Sequence, residues 1–110
     1  MITNHLGDPT RGCVIQGLMS LRPENSINET VMHTCYSLDA LVRWAAANPA
    51  EAGGVGRWRL YCITPDSDRR KGFWEFDGGR VSVQATGAHL IISALTIERL
   101  IEVFNEMSGA

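Results

Sequence analysis

Residues 57 to 94, RWRLYCITPDSDRRKGFWEFDGGRVSVQATGAHLIISA, contain four short runs of strand-forming residues separated by turn-forming residues. The runs WRLYCIT, GFWEFD, RVSVQAT and HLIISA are rich in β-branched, aromatic and aliphatic residues. The connections between them are too short to hold the crossover helix that parallel strands need, so the strands must be antiparallel. The stretch predicts a four-strand antiparallel meander. Its clearest tight turn is Asp77-Gly78-Gly79, because glycine tolerates positive φ.

Two further strands are predicted before this stretch. CVIQGLMSL, residues 13 to 21, and TVMHTC, residues 30 to 35, have strand-like composition and flank the loop-forming segment 22–26. They are predicted to pair as a hairpin with a long connection. The glycine-rich segment 49–56, PAEAGGVG, is predicted to be a flexible loop.

Two helices are predicted from capping residues and helical periodicity. The first begins at Leu38 after the cap Ser37 and is ended by Pro49. The second follows the cap Thr96. Their predicted buried faces consist of Leu38, Leu41, Val42 and Ala45 in the first helix, and Ile97, Leu100, Ile101, Phe104 and Met107 in the second. The order β-β-α-β-β-β-β-α predicts an α+β fold with an antiparallel sheet of five or six strands and both helices on one face.

Side chains alternate between the two faces of each predicted strand. The predicted core face consists of Trp58, Leu60, Cys62, Trp74, Phe76, Val81 and Val83. The opposite face consists of Arg59, Tyr61, Phe73, Glu75, Arg80, Ser82 and Gln84. Since Tyr61 and Phe73 are expected on neighbouring strands, they are predicted to form one exposed aromatic patch.

Length and composition predict a single domain over residues 1–110, with residues 1–12 as an irregular N-terminal arm. The formal net charge of -2 and the pI of about 5.9 give no overall positive field for binding phosphates. Three widely spaced cysteines indicate a reducing compartment. No signal peptide or membrane-spanning stretch is recognised, so the expected location is the cytoplasm, that of a host cell if the chain is phage-encoded.

No motif for catalysis or metal binding is complete. His33 and Cys35 are two residues apart on a predicted strand and supply at most half of a zinc site. The glycine-rich loop lacks the spacing and the lysine of a phosphate-binding loop. We therefore expect no metal, no cofactor and no enzymatic activity, and we keep a small enzyme or ligand-binding domain as an alternative.

The remaining prediction is binding to a protein partner. Tyrosine and arginine are enriched at protein interfaces because each combines a large contact area with a polar group. The predicted interface consists of Arg59, Tyr61, Phe73 and Glu75 with the basic turn residues Arg69, Arg70 and Lys71. Small proteins of this type are common among phage or mobile-element inhibitors, such as anti-CRISPR proteins, and among toxin-immunity proteins, so we expect steric blocking of a partner.

Two other partners stay open for the same surface. Contact between two copies would cover the same exposed aromatic residues. A nucleic acid would instead bind the turn Arg69–Lys71, next to KGFWEF, which partly matches an RNA-binding strand. The match fails at Trp74, where that strand has a small residue, and at Glu75, where it has an aromatic one.

Overall fold

The computed structural model describes residues 13–20, 29–63, 72–86 and 89–109. The strands are β1 (Val14–Ser20), β2 (Glu29–Cys35), β3 (Arg57–Ile63), β4 (Gly72–Phe76), β5 (Val81–Thr86) and β6 (His89–Ala94). The helices are α1 (Leu38–Ala47), α2 (Pro49–Gly53) and α3 (Ile97–Gly109). The predicted α+β class is confirmed. The predicted arm, residues 1–12, lies outside the described residues.

The strands form one antiparallel sheet in the order β2-β1-β3-β6-β5-β4. The predicted β1–β2 hairpin is confirmed, and consecutive strands β4, β5 and β6 also pair. The predicted four-strand meander is wrong in one pairing, because β3 pairs with β6 and not with β4. Strands β3 to β6 therefore have the connectivity of a Greek key, and RWRLYCITPDSDRRKGFWEF is not a hairpin.

The composition of β6 explains this pairing. Leu90 and Ile92 are buried on one side of the strand, and Ile91 is partly buried on the other. A strand with apolar side chains on both faces is best stabilised inside the sheet, where neighbours on both sides shield it from water. Strand β4 is shorter, begins with Gly72 and carries Glu75, so it suits the edge.

The core lies between one face of the sheet and the helices. Helix α1 contributes Leu38 and Leu41, and α3 contributes Leu100, Val103 and Phe104. The sheet contributes Ile15, Trp58, Leu60, Cys62, Val81, Val83, Leu90 and Ile92, among others. Both predicted helix caps are confirmed, since Ser37 Oγ accepts a hydrogen bond from the Ala40 N–H and Thr96 Oγ1 accepts one from the Arg99 N–H. No helix in the described part of the chain is both long and apolar enough to cross a membrane.

The region around α1 differs from the prediction in two places. Pro49 ends α1 but also begins α2, because its fixed φ suits the first position of a helix. Val42 was predicted to be buried but is exposed, and Trp44 occupies the inner face instead. The Trp44 ring stacks on His33 with centroids 3.8 Å apart and meets Trp58 edge-on at 6.1 Å. These large rings orient α1 over β2 and β3.

Two glycines are required by the geometry of this fold. At Gly17 a Cβ atom would lie 2.7 Å from the Trp58 ring, so only glycine lets this tryptophan pack flat on β1. In the turn Asp77–Gly79, which joins β4 to β5, Gly78 has a φ of 69°. The predicted turn is thus confirmed.

Candidate functional site

The face of the sheet opposite the helices is the candidate site, and we call it the open face. It consists of Val14 and Gln16 in β1, Arg59 and Tyr61 in β3, Ile91 and Ser93 in β6, Ser82 and Gln84 in β5, and Phe73 and Glu75 in β4. Their neighbours along each strand, such as Leu60, Ile92 and Val83, belong to the helix-covered core. All core-forming residues of α1 and α3 lie on that other side.

Strand register arranges the open face in two parallel rows. Val14, Tyr61, Ile91, Gln84 and Phe73 follow one another across five strands and form a largely apolar row. Gln16, Arg59, Ser93, Ser82 and Glu75 form a polar row beside it. The open face therefore combines an aromatic and aliphatic band with a band of hydrogen-bonding and charged groups.

The predicted interface residues Arg59 and Tyr61 lie in the middle of this face and already have partners within the chain. Arg59 Nη2 is 2.7 Å from Glu29 Oε1 and forms an ion pair that crosses β1. The Tyr61 ring stacks on His89 with centroids 5.4 Å apart. Both side chains are partly exposed and held in place, so a partner would meet them in a preformed arrangement, at a lower entropic cost.

The predicted contact between Tyr61 and Phe73 is wrong. Both residues lie on the open face and in the same row, but β6 and β5 separate their strands. Three strand spacings correspond to about 14 Å between their backbones. The incorrect pairing of β3 with β4 produced this error. Tyr61 and Phe73 are therefore two separate aromatic positions, with Ile91 and Gln84 between them.

Phe73 is the most exposed large hydrophobic residue described, with 60% of its surface accessible. It lies on β4, where all five residues are exposed. Trp74 and Phe76 were predicted to be core residues, yet they are 37% and 41% exposed. Their face was assigned correctly, since Trp74 pairs with the buried Val83. The helices do not reach over the edge strand far enough to bury them.

The end of β4 is linked to α3 by an ion pair. Arg99 Nε on α3 is 3.0 Å from Asp77 Oδ2, and Arg99 also contacts Glu102. These groups are exposed to solvent, so the link positions the β4–β5 turn more than it stabilises the fold.

The predicted basic residues Arg69, Arg70 and Lys71 lie outside the described residues. The segment that contains them joins β3 to β4, and these strands are not adjacent. Strands β3 and β4 are therefore not the two strands of a hairpin.

Burial shapes the chemistry of the described cysteines and of His33. Burial raises the pKa of the Cys35 thiol, and a hydrogen bond with Cys13, together with burial, raises the pKa of Cys62. Raised thiol pKa values disfavour the thiolate that nucleophilic catalysis needs. His33 is stacked on Trp44, and its buried Nε2 atom has no hydrogen-bond partner. Among the described residues, no three His, Cys, Asp or Glu side chains are grouped closely enough to hold a metal ion.

Comparison of the chain with protein-family models, with curated proteins and with solved structures finds no match.

The exposure of Trp74 and Phe76 on β4 was not predicted from the sequence. Gly72 and Glu75 favour an edge position for β4, but neither residue indicates how far the helices extend over that edge.

Proposed function

We propose that this chain is a non-enzymatic protein-binding domain that acts by covering a functional surface of its partner. The observation that carries the proposal is the row from Tyr61 to Phe73 on the open face, which ends in a phenylalanine that is 60% exposed. Interfaces are anchored by such aromatic side chains, and surrounding polar groups exclude water from them. The polar row through Arg59 and Glu75 supplies these groups.

The proposed mode of action is steric. A sheet face presents many backbone-anchored side chains on a rigid support, so it can bind without large loss of conformational entropy. This behaviour suits an inhibitor encoded by a phage or mobile element, such as an anti-CRISPR protein, or a toxin-immunity protein. A protein of this type needs only a tight, shape-matched contact that blocks an active or nucleic-acid-binding surface.

The test compares partner capture by the wild-type chain and by surface variants. The tagged protein is incubated with host-cell lysate, with and without nuclease, and the retained material is identified. Tyr61→Ala and Phe73→Ala are each expected to reduce retention of one nuclease-resistant protein, with a loss of about 2 kcal/mol or more of binding free energy for an anchor residue. Val42→Ala, which removes an exposed apolar side chain from α1, serves as the matched control.

Two results would contradict the proposal. Retention of the same protein by wild type and by the Tyr61→Ala and Phe73→Ala variants would show that the open face is not the interface. Retention of nucleic acid that falls steeply with salt, and with neutralisation of Arg69, Arg70 and Lys71, would support the nucleic-acid alternative.

A further inference from the structure

The two edges of the sheet differ in regularity. At the β2 edge the register with β1 shifts, since Gly17 pairs with His33 but Leu18 pairs with Val31, which leaves Met32 as an extra residue. Such a bulge interrupts the backbone spacing that an added strand would need, and natural sheets use bulges to protect edges. Strand β4 pairs with β5 without any shift over Gly72–Phe76. Its outer edge is therefore regular enough to accept another strand.

The regular edge is also the aromatic one. Phe73 is exposed on the open face, while Trp74 and Phe76 are exposed on the helix side. Exposed apolar residues on a regular edge favour association with another strand, because pairing satisfies the backbone and buries the rings at once. Both faces of β4 thus offer apolar contact area to the strand that pairs with it.

We propose that β4 pairs antiparallel with β4 of a second copy of this chain, centred on Trp74. In this register Trp74 lies opposite Trp74 of the second copy, Gly72 lies opposite Phe76, and Phe73 lies opposite Glu75. Trp74 and Phe76 from both copies then form one cluster of four rings on the helix side. This inference concerns self-association and does not depend on the proposed function.

Steric fit supports this register. Gly72 has no side chain, and the Trp74 ring leans toward it, with its Cζ2 atom 3.1 Å from the position of a Cβ atom. The Trp74 ring thus lies over Gly72, and Phe76 of the second copy, opposite Gly72, would meet the indole ring there. Aromatic pairs of this kind contribute about 0.5–1.5 kcal/mol beyond the area they bury.

Charge pattern supports the same register. Each Glu75 would face a neutral Phe73, whereas pairing centred on Glu75 would set two carboxylates directly opposite each other, which is unfavourable.

The same strand is used by both copies, so this contact closes at a dimer and leaves only the bulged β2 edges at the ends. The two six-stranded sheets become one continuous sheet. The Phe73 side chains of both copies would then lie near the junction of a joined open face.

The test is sedimentation equilibrium of the purified chain alone, under reducing conditions, from micromolar to millimolar concentration. The wild type is expected to approach twice the chain mass of 12.1 kDa. Phe73→Lys places a cation opposite Glu75 of the second copy, whereas Phe73→Glu places a carboxylate there. We expect the Phe73→Glu dimer to dissociate about tenfold more readily than the Phe73→Lys dimer, since two symmetric pairs change sign.

Met32→Lys on the bulged edge is the matched control and is expected to dimerise like the wild type. A chain that stays monomeric at all concentrations would overturn the proposal and leave the β4 edge for a strand of another protein. Equal dimerisation of the Phe73→Lys and Phe73→Glu variants would refute the register. Because the measurement contains no partner, its failure is distinguishable from failure of the proposed function, and the Tyr61→Ala variant tests the latter outside β4.

Discussion

Gly17→Ala tests the most tightly constrained contact in the core. The added methyl carbon would lie 2.7, 2.9 and 3.2 Å from three atoms of the Trp58 ring, whereas carbon atoms in contact are normally about 3.5–4.0 Å apart. The ring cannot move aside freely, because Trp58 is only 2% exposed and packs edge-on against Trp44. We therefore expect β1 and β3 to shift apart or the tryptophan to leave its preferred rotamer.

The magnitude follows from two opposing effects. Overpacking a close-packed core costs about 1–3 kcal/mol, while replacing glycine by alanine restricts the unfolded chain and stabilises by about 0.4–1 kcal/mol. The net expectation for Gly17→Ala is a loss of about 1–2 kcal/mol of unfolding free energy. Gly53→Ala is the control, because a Cβ atom there would have no neighbour within 4 Å. This helical position in α2 should gain up to about 1 kcal/mol.

The assay is urea unfolding followed by circular dichroism, with the slope of the transition checked for constancy between variants. The same substitution in a Trp58→Leu protein tests whether the indole ring causes the destabilisation. In Trp58→Leu the smaller side chain leaves room at Gly17, so adding Gly17→Ala should no longer destabilise. If Gly17→Ala proved as stable as Gly53→Ala, or if its cost persisted without the indole ring, the packing argument for this glycine would be wrong.

Two further predictions concern burial. Phe104→Ala should lower the unfolding free energy by about 3–5 kcal/mol, because this ring is fully buried. Phe76→Ala should lower it by less than about 1 kcal/mol, because its ring is partly exposed. If Phe76→Ala lowered the melting temperature more than Phe104→Ala, the conclusion that the helices leave β4 uncovered would be wrong. The thiols of Cys13, Cys35 and Cys62 are buried, and the pKa values of Cys35 and Cys62 are raised. Alkylation of these thiols at neutral pH should therefore proceed only as fast as the protein unfolds. Rapid labelling of the native protein would show that the reagent reaches the core without unfolding.

Element order, helix caps and strand faces could be predicted from the sequence because they depend on local chemistry. Ser37 and Thr96 cap helices through neighbouring N–H groups, and alternation correctly placed Arg59, Tyr61, Phe73 and Glu75 on one face. Strand neighbours could not be assigned by assuming that consecutive strands pair. The position of β3 beside β6 depends on which strands need cover on both sides, and that is a property of the whole sheet.

The exposure of Trp74 was unpredictable for a related reason. Its hydrophobicity and its strand position both favour burial, and it does lie on the same face as Val83. Burial also requires a covering element, and no local pattern states how far a helix extends across a sheet. Similarly, the sequence predicted the charged side chains of the open face, but not that Arg59 would be paired with Glu29 on the far side of β1.

The pairing of β3 with β6 also divides the sheet into two halves that are continuous in sequence. Strands from the first part of the chain, β2, β1 and β3, lie side by side, and so do β6, β5 and β4 from the second part. Within the sheet, the two halves meet only where β3 pairs with β6, with Trp58, Leu60 and Cys62 opposite Ala94, Ile92 and Leu90. A cut in the segment 64–71 would separate the covalent chain at the boundary of these halves while leaving every described strand intact. Two fragments, one ending after β3 and one beginning before β4, therefore have the arrangement needed to reassemble as a split protein.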